Sequence, residues 1–205
     1  METITLSEQE ILDYISKKRN LLFSRIALCA TAVGLIHTIN DALDGLQVAP
    51  IFDFALTLIV FGSYLLNQRG YHNIAKIMTL IFMNLAFAAY ASLIPFEVGV
   101  YLFYLPLMGV SAAIFDTKDQ MLRYVFIGLS LSMLTLLFLT DFKLFGNVSI
   151  PAEDIRESYI VNLFSSIAML MLCIFFLMRI NERSESQLHE LARQVKLNNE
   201  KLKKT

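Results

Sequence analysis

Charge is scarce in this chain: only 17% of its 205 residues are Asp, Glu, Lys or Arg, against 56% hydrophobic residues, and the mean hydropathy is +0.58. A soluble domain of this size needs more polar surface, so the composition excludes an ordinary water-soluble globule. An excess of one sign is missing as well. The formal net charge is −1, which offers no general attraction for nucleic acid, and no nucleic-acid partner is expected. Cysteine is limited to Cys29 and Cys173, both inside apolar runs. That pattern excludes a disulfide framework or a metal-binding spacing and reads as two small buried hydrophobes. There is no Gly-rich phosphate loop, no metal-ligand helix signature and no nucleophile elbow. The residues present are therefore expected to hold no catalytic centre, no metal and no cofactor. The opening segment lacks the pattern of a signal peptide, being polar and ending in Lys17, Lys18 and Arg19.

What the chain does have is long apolar runs. In a bilayer each backbone amide must be satisfied within its own segment, so such a run reads as a helix, and about 20 residues are needed to cross. Six runs qualify: 21–39, 51–66, 74–94, 100–115, 122–140 and 159–180, the second and fourth being short. Turn signals separate them: Asp41 to Pro50 with Gly45, Asn67 to Gly70, Pro95 to Gly99, Asp116 to Gln120, and Asp141 to Asp154 with Gly146 and Pro151. The expected fold is an all-α membrane protein, a six-transmembrane-helix bundle whose sixth helix continues into a cytoplasmic coiled coil. Its segments are 1–20 as a cytoplasmic or interfacial helix, 21–180 as the membrane domain and 181–205 as the coiled-coil helix. Ahead of the first run, Ser7, Glu8, Gln9 and Glu10 fit a capping box.

Positive residues near helix ends resist translocation. With the N-terminus inside, the cytoplasmic segments carry Lys17, Lys18, Arg19, Arg25, Arg69, Lys76, Lys118, Arg123, Arg179 and Arg183, and the outer ones only Lys143 and Arg156. The asymmetry holds at every loop, which favours six crossings with both termini cytoplasmic. The outer loops are acidic instead, with Asp41, Asp44, Asp53, Glu97, Asp141, Glu153, Asp154 and Glu157.

Polar groups at membrane depth are costly and are default candidates for a ligand site. His37, Asn40 and Asp41 gather at the outer end of the first run, with His37 and Asp41 four apart on one helix face. Asp53 opens the second run, Tyr90 closes the third, Tyr101 and Tyr104 open the fourth, and Asn162 and Ser165 lie near the same level on the sixth. Together they outline a pocket for a small ligand or lipid, with aromatic walls and a few hydrogen-bonding groups. The plainer alternative is an interfacial belt of tyrosines beside water-facing acids. Asn84, at the centre of the third run, is expected either to bond a neighbouring helix or to touch the ligand.

From Asn181 to Thr205 the chain has no Gly or Pro. Asn181, Ser184, Leu188, Leu191, Val195, Asn198 and Leu202 step by three and four, the seam of a parallel homodimeric coiled coil. No breaker separates this tail from the sixth run, so the two read as one helix of about 70 Å.

The tail HELARQVKLNNEKLKKT, His189 to Thr205, resembles the signalling helix that joins the last membrane span to the dimerisation helix in bacterial sensor histidine kinases. With six runs before it, the chain looks like the multi-span sensor region of such a kinase. The resemblance implies a bacterial inner-membrane receptor, a kinase core beyond Thr205 and a response regulator as downstream partner. The phosphoacceptor and ATP-binding boxes are not among these residues, and His189, beside Glu190 but outside the box's Ser-His-Glu/Asp context, does not take the phosphoacceptor role. A receptor feeding a nucleotide cyclase shares this plan. A transporter or channel is the more distant alternative, with Pro106 and Gly109 as its candidate helix break.

Overall fold

The computed structural model describes residues 8–43, 49–115, 118–145 and 150–202, with only the backbone of 8–12, 15, 180, 183–192 and 194–202. Ser7, Asp44, Gly45 and Gly146 lie outside the described residues, as do the side chains of the seam at Ser184, Leu188, Leu191, Val195, Asn198 and Leu202.

The described chain is helical. The helices are α1 (Glu8–Leu43), α2 (Ala49–Gln68), α3 (His72–Leu93), α4 (Tyr104–Ile114), α5 (Gln120–Leu139) and α6 (Ala152–Leu202). Five of them contain segments long and apolar enough to cross a membrane: Ser16–Leu43, Ala49–Gln68, His72–Leu93, Gln120–Leu139 and Ala152–Arg179. Their outward positions are large and apolar, among them Ile36, Ile51, Leu85, Leu139, Phe164 and Met171. Facing inward, beside large apolar side chains such as Leu22, Phe23, Leu80 and Leu137, are small or polar residues such as Ala75, Ala91, Ser92 and Ser166. An apolar exterior over an interior with small and polar residues suits a solvent as apolar as leucine, where close backbone approach and hydrogen bonds help bring helices together. The chain is of membrane-integral type.

Two helices are longer than the apolar runs they contain. α1 passes without a break from Glu8 through Lys17, Lys18 and Arg19 into its apolar part, because nothing in that stretch stops a helix. α6 runs for 51 residues, about 76 Å at 1.5 Å per residue. It joins the last apolar segment to the charged tail as one rod, and Asn181 on that rod is exposed.

The fourth run departs from the expected single helix. Pro95 leaves Ile94 extended (φ −113°, ψ 158°), as the residue before a proline prefers. Two 3-10 turns follow, Phe96–Val98 and Val100–Phe103, hinged at Gly99 with φ 82°. Only then does α4 begin, for 11 residues. The segment Val100–Ile114 is shorter than the other apolar helices, about 24 Å long, against roughly 30 Å of hydrocarbon. Pro106 causes no break, since it is the third residue of α4, where its missing amide would have had no partner anyway. The irregularity sits upstream instead, at Pro95 and Gly99.

This short element is central, touching α1, α3, α5 and α6. Tyr104, Ala113, Ile114 and Phe115 are fully buried. Arginines from two helices bond the carbonyls at its end: Arg19 of α1 donates Nη1 to Ala113 O, and Arg123 of α5 donates Nη2 to Phe115 O at 2.7 Å. Cations there complement the helix dipole as well as the free carbonyls. Arg19 lies near the start of the apolar segment Ser16–Leu43, so α4 returns to the end of the bundle where that segment begins. That basic end is tied further by Asn67, whose Nδ2 donates to Asn20 O (2.9 Å) and to Ser24 Oγ (2.7 Å).

Candidate functional site

The opposite end of the bundle holds Asp41, Asp53, Asp154 and Glu157, and between its helices lies a cavity of about 380 Å³. Its mouth is built from four directions. α1 contributes His37, Asn40 and Asp41, the last two turns of its apolar segment; α2 contributes Asp53 and Thr57, one turn apart; α3 contributes Tyr90; and α6 contributes Asp154, Glu157 and Asn162. The Asp41 and Asp53 carboxyl groups and the Tyr90 hydroxyl lie close enough to act on one another, and Phe52 stacks on Tyr90 with ring centroids 5.1 Å apart. Below the mouth the walls turn apolar, with Phe23, Ile26, Ala30, Val60, Met83 and Val110 reaching toward the basic end.

One wall is the broken fourth run. Val98, Val100 and Phe103 line the cavity, and Phe103 is held by Phe87 (5.4 Å, stacked) and by the His37 ring edge-on (5.8 Å). Its 3-10 backbone serves its carbonyls less fully than a regular helix would, and at membrane depth they need partners. α6 supplies them. Asn162 donates Nδ2 to Val98 O at 2.9 Å, and Ser166, one turn on, donates Oγ to Leu102 O at 2.7 Å. A third link runs from His37 Nε2 to Ser165 Oγ, 3.1 Å. Gly99 belongs to the same seam. A Cβ there would lie 2.8 Å from the Tyr159 ring, so the hinge needs glycine both for its positive φ and for room against α6.

Of the residues expected to bind ligand, His37, Asn40, Asp41, Asp53, Tyr90 and Asn162 share this cavity, whereas Asn84, Tyr101 and Tyr104 lie outside its lining. Tyr104 is fully buried and donates its hydroxyl to the backbone O of Asn84 at 2.9 Å, which fastens α4 to α3. The Asn84 side chain bonds its own helix rather than a neighbour, Nδ2 to Leu80 O at 2.8 Å. A short amide one turn above a carbonyl reaches it without crossing to another helix. Tyr101 stands in an aromatic group with Phe96, Phe138 and Phe142, on the α5 side. Burial there satisfies its ring.

Thr57 went unnoticed in the sequence. The other described threonines, Thr31, Thr38, Thr79, Thr135 and Thr140, each donate to the carbonyl four residues back. Thr57 is only 5% exposed, yet its Oγ1 has no hydrogen-bond partner among the described residues. It is turned toward Gly34, where an added Cβ would collide with that hydroxyl, and both residues line the cavity. The signal that could have found it is the four-residue step from Asp53, which sets the two side chains on one face. Ser166 was likewise detectable from its step after Asn162.

In chemical terms the cavity offers carboxyl groups and an imidazole at one end, above an apolar shaft. No group of three or more His, Cys, Asp or Glu suited to a metal ion occurs among the described residues. Comparison of the chain with protein-family models and with curated proteins finds no match.

Proposed function

We propose that this chain is a sensory receptor module that crosses the membrane six times with both termini in the cytoplasm, binds a small ligand in the cavity, and passes that event along α6 to a cytoplasmic output domain. By the resemblance of its tail that output is a histidine kinase of a bacterial inner-membrane two-component system, acting on a response regulator. A nucleotide cyclase is the alternative output.

The observation that carries this reading is the attachment of α6 to two cavity walls. Asn162 and Ser166 hold the carbonyls of the broken fourth run, Ser165 meets His37 of α1, and the same helix continues unbroken to Leu202. A ligand shifts a two-state element only through its differential affinity for the two states. A ligand that moves Phe103 or His37 has that handle on α6. The sixth crossing draws support from the return of α4 to the basic end, where Arg19 and Arg123 meet it.

The output element would be a parallel homodimer seam through Asn181, Ser184, Leu188, Leu191, Val195, Asn198 and Leu202. Polar residues at three of these positions weaken the preference for any one packing, as a switch requires. The test is disulfide crosslinking in native membranes after Cys29 and Cys173 are replaced by Ala. Leu188→Cys should crosslink readily and Arg193→Cys should not. Equal crosslinking at both ends the proposal.

A second reading, a small transporter, draws on one observation: the interrupted backbone at Pro95–Phe103 lines a cavity, as interrupted helices do in transporters. Solute flux through proteoliposomes that is abolished by Asp53→Asn would favour it.

A further inference from the structure

We propose that the cavity takes an uncharged, single-chain amphiphile, its hydrogen-bonding head between Asn40 of α1 and Asn162 of α6 and its unbranched apolar chain lying along α1 toward Ile26. This inference deepens the receptor reading and rests on its cavity, and its failure can be told apart from the failure of that reading.

The first argument is the shape of the shaft. On α1 the lining residues Ile26, Ala30, Val33, His37 and Asn40 step by four and three, which sets them in one stripe along one face of the helix. That stripe is about 21 Å long at 1.5 Å per residue. A volume of about 380 Å³ spread along it is narrow, the shape of a chain rather than of a compact solute. α2, α3 and α4 complete the walls with Leu56, Val60, Met83, Phe87, Leu107 and Val110. The hydroxyls among these walls are already placed: Thr79 donates to Ala75 O, and the Thr57 hydroxyl is packed against Gly34. Nothing along the shaft calls for a polar group, and each methylene that leaves water for such a surface gains about fourfold in affinity.

The second argument is the pair of amides at the top of the shaft. Two contacts fix α1 and α6 as antiparallel neighbours: His37 Nε2 meets Ser165 Oγ at 3.1 Å, and Arg25 lies over the Phe176 ring at 6.0 Å. Three residues outward from that histidine and from that serine stand Asn40 on one helix and Asn162 on the other, at one height. Both line the cavity. Asn162 commits its Nδ2 to Val98 O, which leaves its Oδ1 to accept, while the half-buried Asn40 amide has no hydrogen-bond partner among the described residues. A head that donates and accepts at once, such as an alcohol, matches the pair. Because Asn162 also holds the broken fourth run, a head bonded to it acts directly on the link between that run and α6.

The third argument is charge. Among the described residues lining the cavity there is no Lys or Arg, whereas Asp41, Asp53, Asp154 and Glu157 are all present, so an anionic head meets repulsion and no counter-charge. A cationic head finds no vacant carboxylate beside the shaft. Asp41 and Asp53 act on each other and on Tyr90, and Asp154 and Glu157 are exposed at the mouth, where water screens them. At the depth of Asn40 and Asn162 a head therefore meets neutral amides and carboxyl groups that already have partners.

The experiment uses the full chain in phosphatidylcholine nanodiscs near pH 7, with photolabelling as the binding readout and tail crosslinking through Leu188→Cys as the signalling readout. The probe is decanol with a diazirine at the far end of its chain, located after illumination by peptide mass spectrometry. Labelling should be saturable and should fall at Val60, Met83 or Val110. Unlabelled decanol should compete at least about tenfold better than decylamine or decanoate at equal amounts in the bilayer, and better than methyl decyl ether, which accepts a hydrogen bond without donating one. From butanol to decanol the competing aqueous concentration should fall about fourfold per methylene. Ala30→Phe, which fills the middle of the stripe, should abolish labelling. Asn40→Leu should reduce it about fivefold, within the range of one hydrogen bond, and it removes no bond of the fold, so the test holds even where Ala30→Phe unfolds. A diacylglycerol with the same diazirine on one chain separates a two-chain membrane lipid from a free single chain.

Competition by decylamine or decanoate equal to that of decanol would overturn the proposal, and so would shaft labelling by the diacylglycerol or labelling indifferent to both variants. If decanol labels the shaft as described and crosslinking at position 188 does not change at saturation, the ligand class stands and the receptor reading falls. If the tail responds to a charged probe and not to decanol, the receptor reading stands and the ligand class falls.

Discussion

Replacing Asn162 by Leu removes the only side-chain donor to Val98 O among the described residues, and Ser166→Ala does the same at Leu102 O. Both acceptors sit in the 3-10 stretch, where these side chains add to what the backbone supplies; at Leu102 O that is a Tyr104 N–H shared with Tyr101 O. Two magnitudes bear on the cost. Side-chain hydrogen bonds inside membrane bundles average about 0.6 kcal/mol and reach about 1.7, because the unfolded chain in the bilayer also finds partners. A buried carbonyl left without any donor costs about 1–3 kcal/mol. Asn162 is only 8% exposed, so water does not readily take its place, and the upper part of the first range applies. Each single variant should lose about 1–2 kcal/mol. The two acceptors lie four residues apart in one irregular segment. The double variant should therefore depart from additivity, with the second loss smaller once the segment has loosened.

The assay is reversible unfolding in mixed micelles, followed by far-UV circular dichroism, on wild type, both single variants and the double variant. Replacing Ser165, whose hydroxyl meets the His37 side chain and not a backbone carbonyl, by Ala is the control and should cost less than either. Losses below about 0.3 kcal/mol for both variants, well under the measured average for such bonds, would refute the claim that α6 holds the broken run. So would strict additivity with a Ser165→Ala loss as large as the others.

Three further outcomes follow from the same geometry. Gly99→Ala should destabilise more than Gly70→Ala: both have positive φ, at 82° and 89°, but a Cβ at 99 strikes the Tyr159 ring whereas one at 70 meets open space. Backbone strain alone sets the Gly70 cost at about 1 kcal/mol, and equal losses in the same unfolding assay would contradict the close approach of α6. Gly34→Ala should cost about 1–3 kcal/mol through its collision with Thr57 Oγ1, and adding Thr57→Ala should return most of that loss; an additive pair would show that the two residues do not touch. Reporter fusions at Gly45, Glu97 and Gly146 should read external and those at Gly70 and Lys118 internal, with a single reversed site enough to reject six crossings.

The helical, membrane-integral character was legible because apolar runs of about 20 residues have few other interpretations. The continuity of α6 was legible too, since nothing between Asn181 and Leu202 stops a helix. The continuity of α1 was not, because Lys17, Lys18 and Arg19 change the polarity of the chain without changing its helix propensity, and polarity was what divided the segments. The fourth run hid its irregularity in the same way. Val100 to Phe103 are as apolar as any helix interior, and what permits 3-10 turns there is a pair of donors on α6, over 60 residues away in sequence. At the cavity, His37, Asp41 and Asp53 could be grouped because spacing and depth put them at one level. Tyr101 and Tyr104 were at that level as well, but level does not say which neighbour a ring will face. Tyr104 found a carbonyl on α3 and Tyr101 found three phenylalanines, each a partner that only the packing reveals.

That dependence on packing also bounds what a ligand could accomplish on the proposed reading. Coupling between two sites commonly amounts to about 1–3 kcal/mol. Among the described residues the side-chain hydrogen bonds that link the cavity walls to α6 are three, through Asn162, Ser165 and Ser166. At about 0.6–1.7 kcal/mol each, the making or breaking of one or two of them supplies a bias of the required size. No rearrangement of the buried contacts around Ala113, Ile114 and Phe115 is needed, nor any release of the arginines that hold the end of α4. A ligand that displaces Phe103 by a fraction of an ångström acts where those bonds are anchored. On the proposed reading, the rest of the bundle is the fixed frame against which α6 would turn.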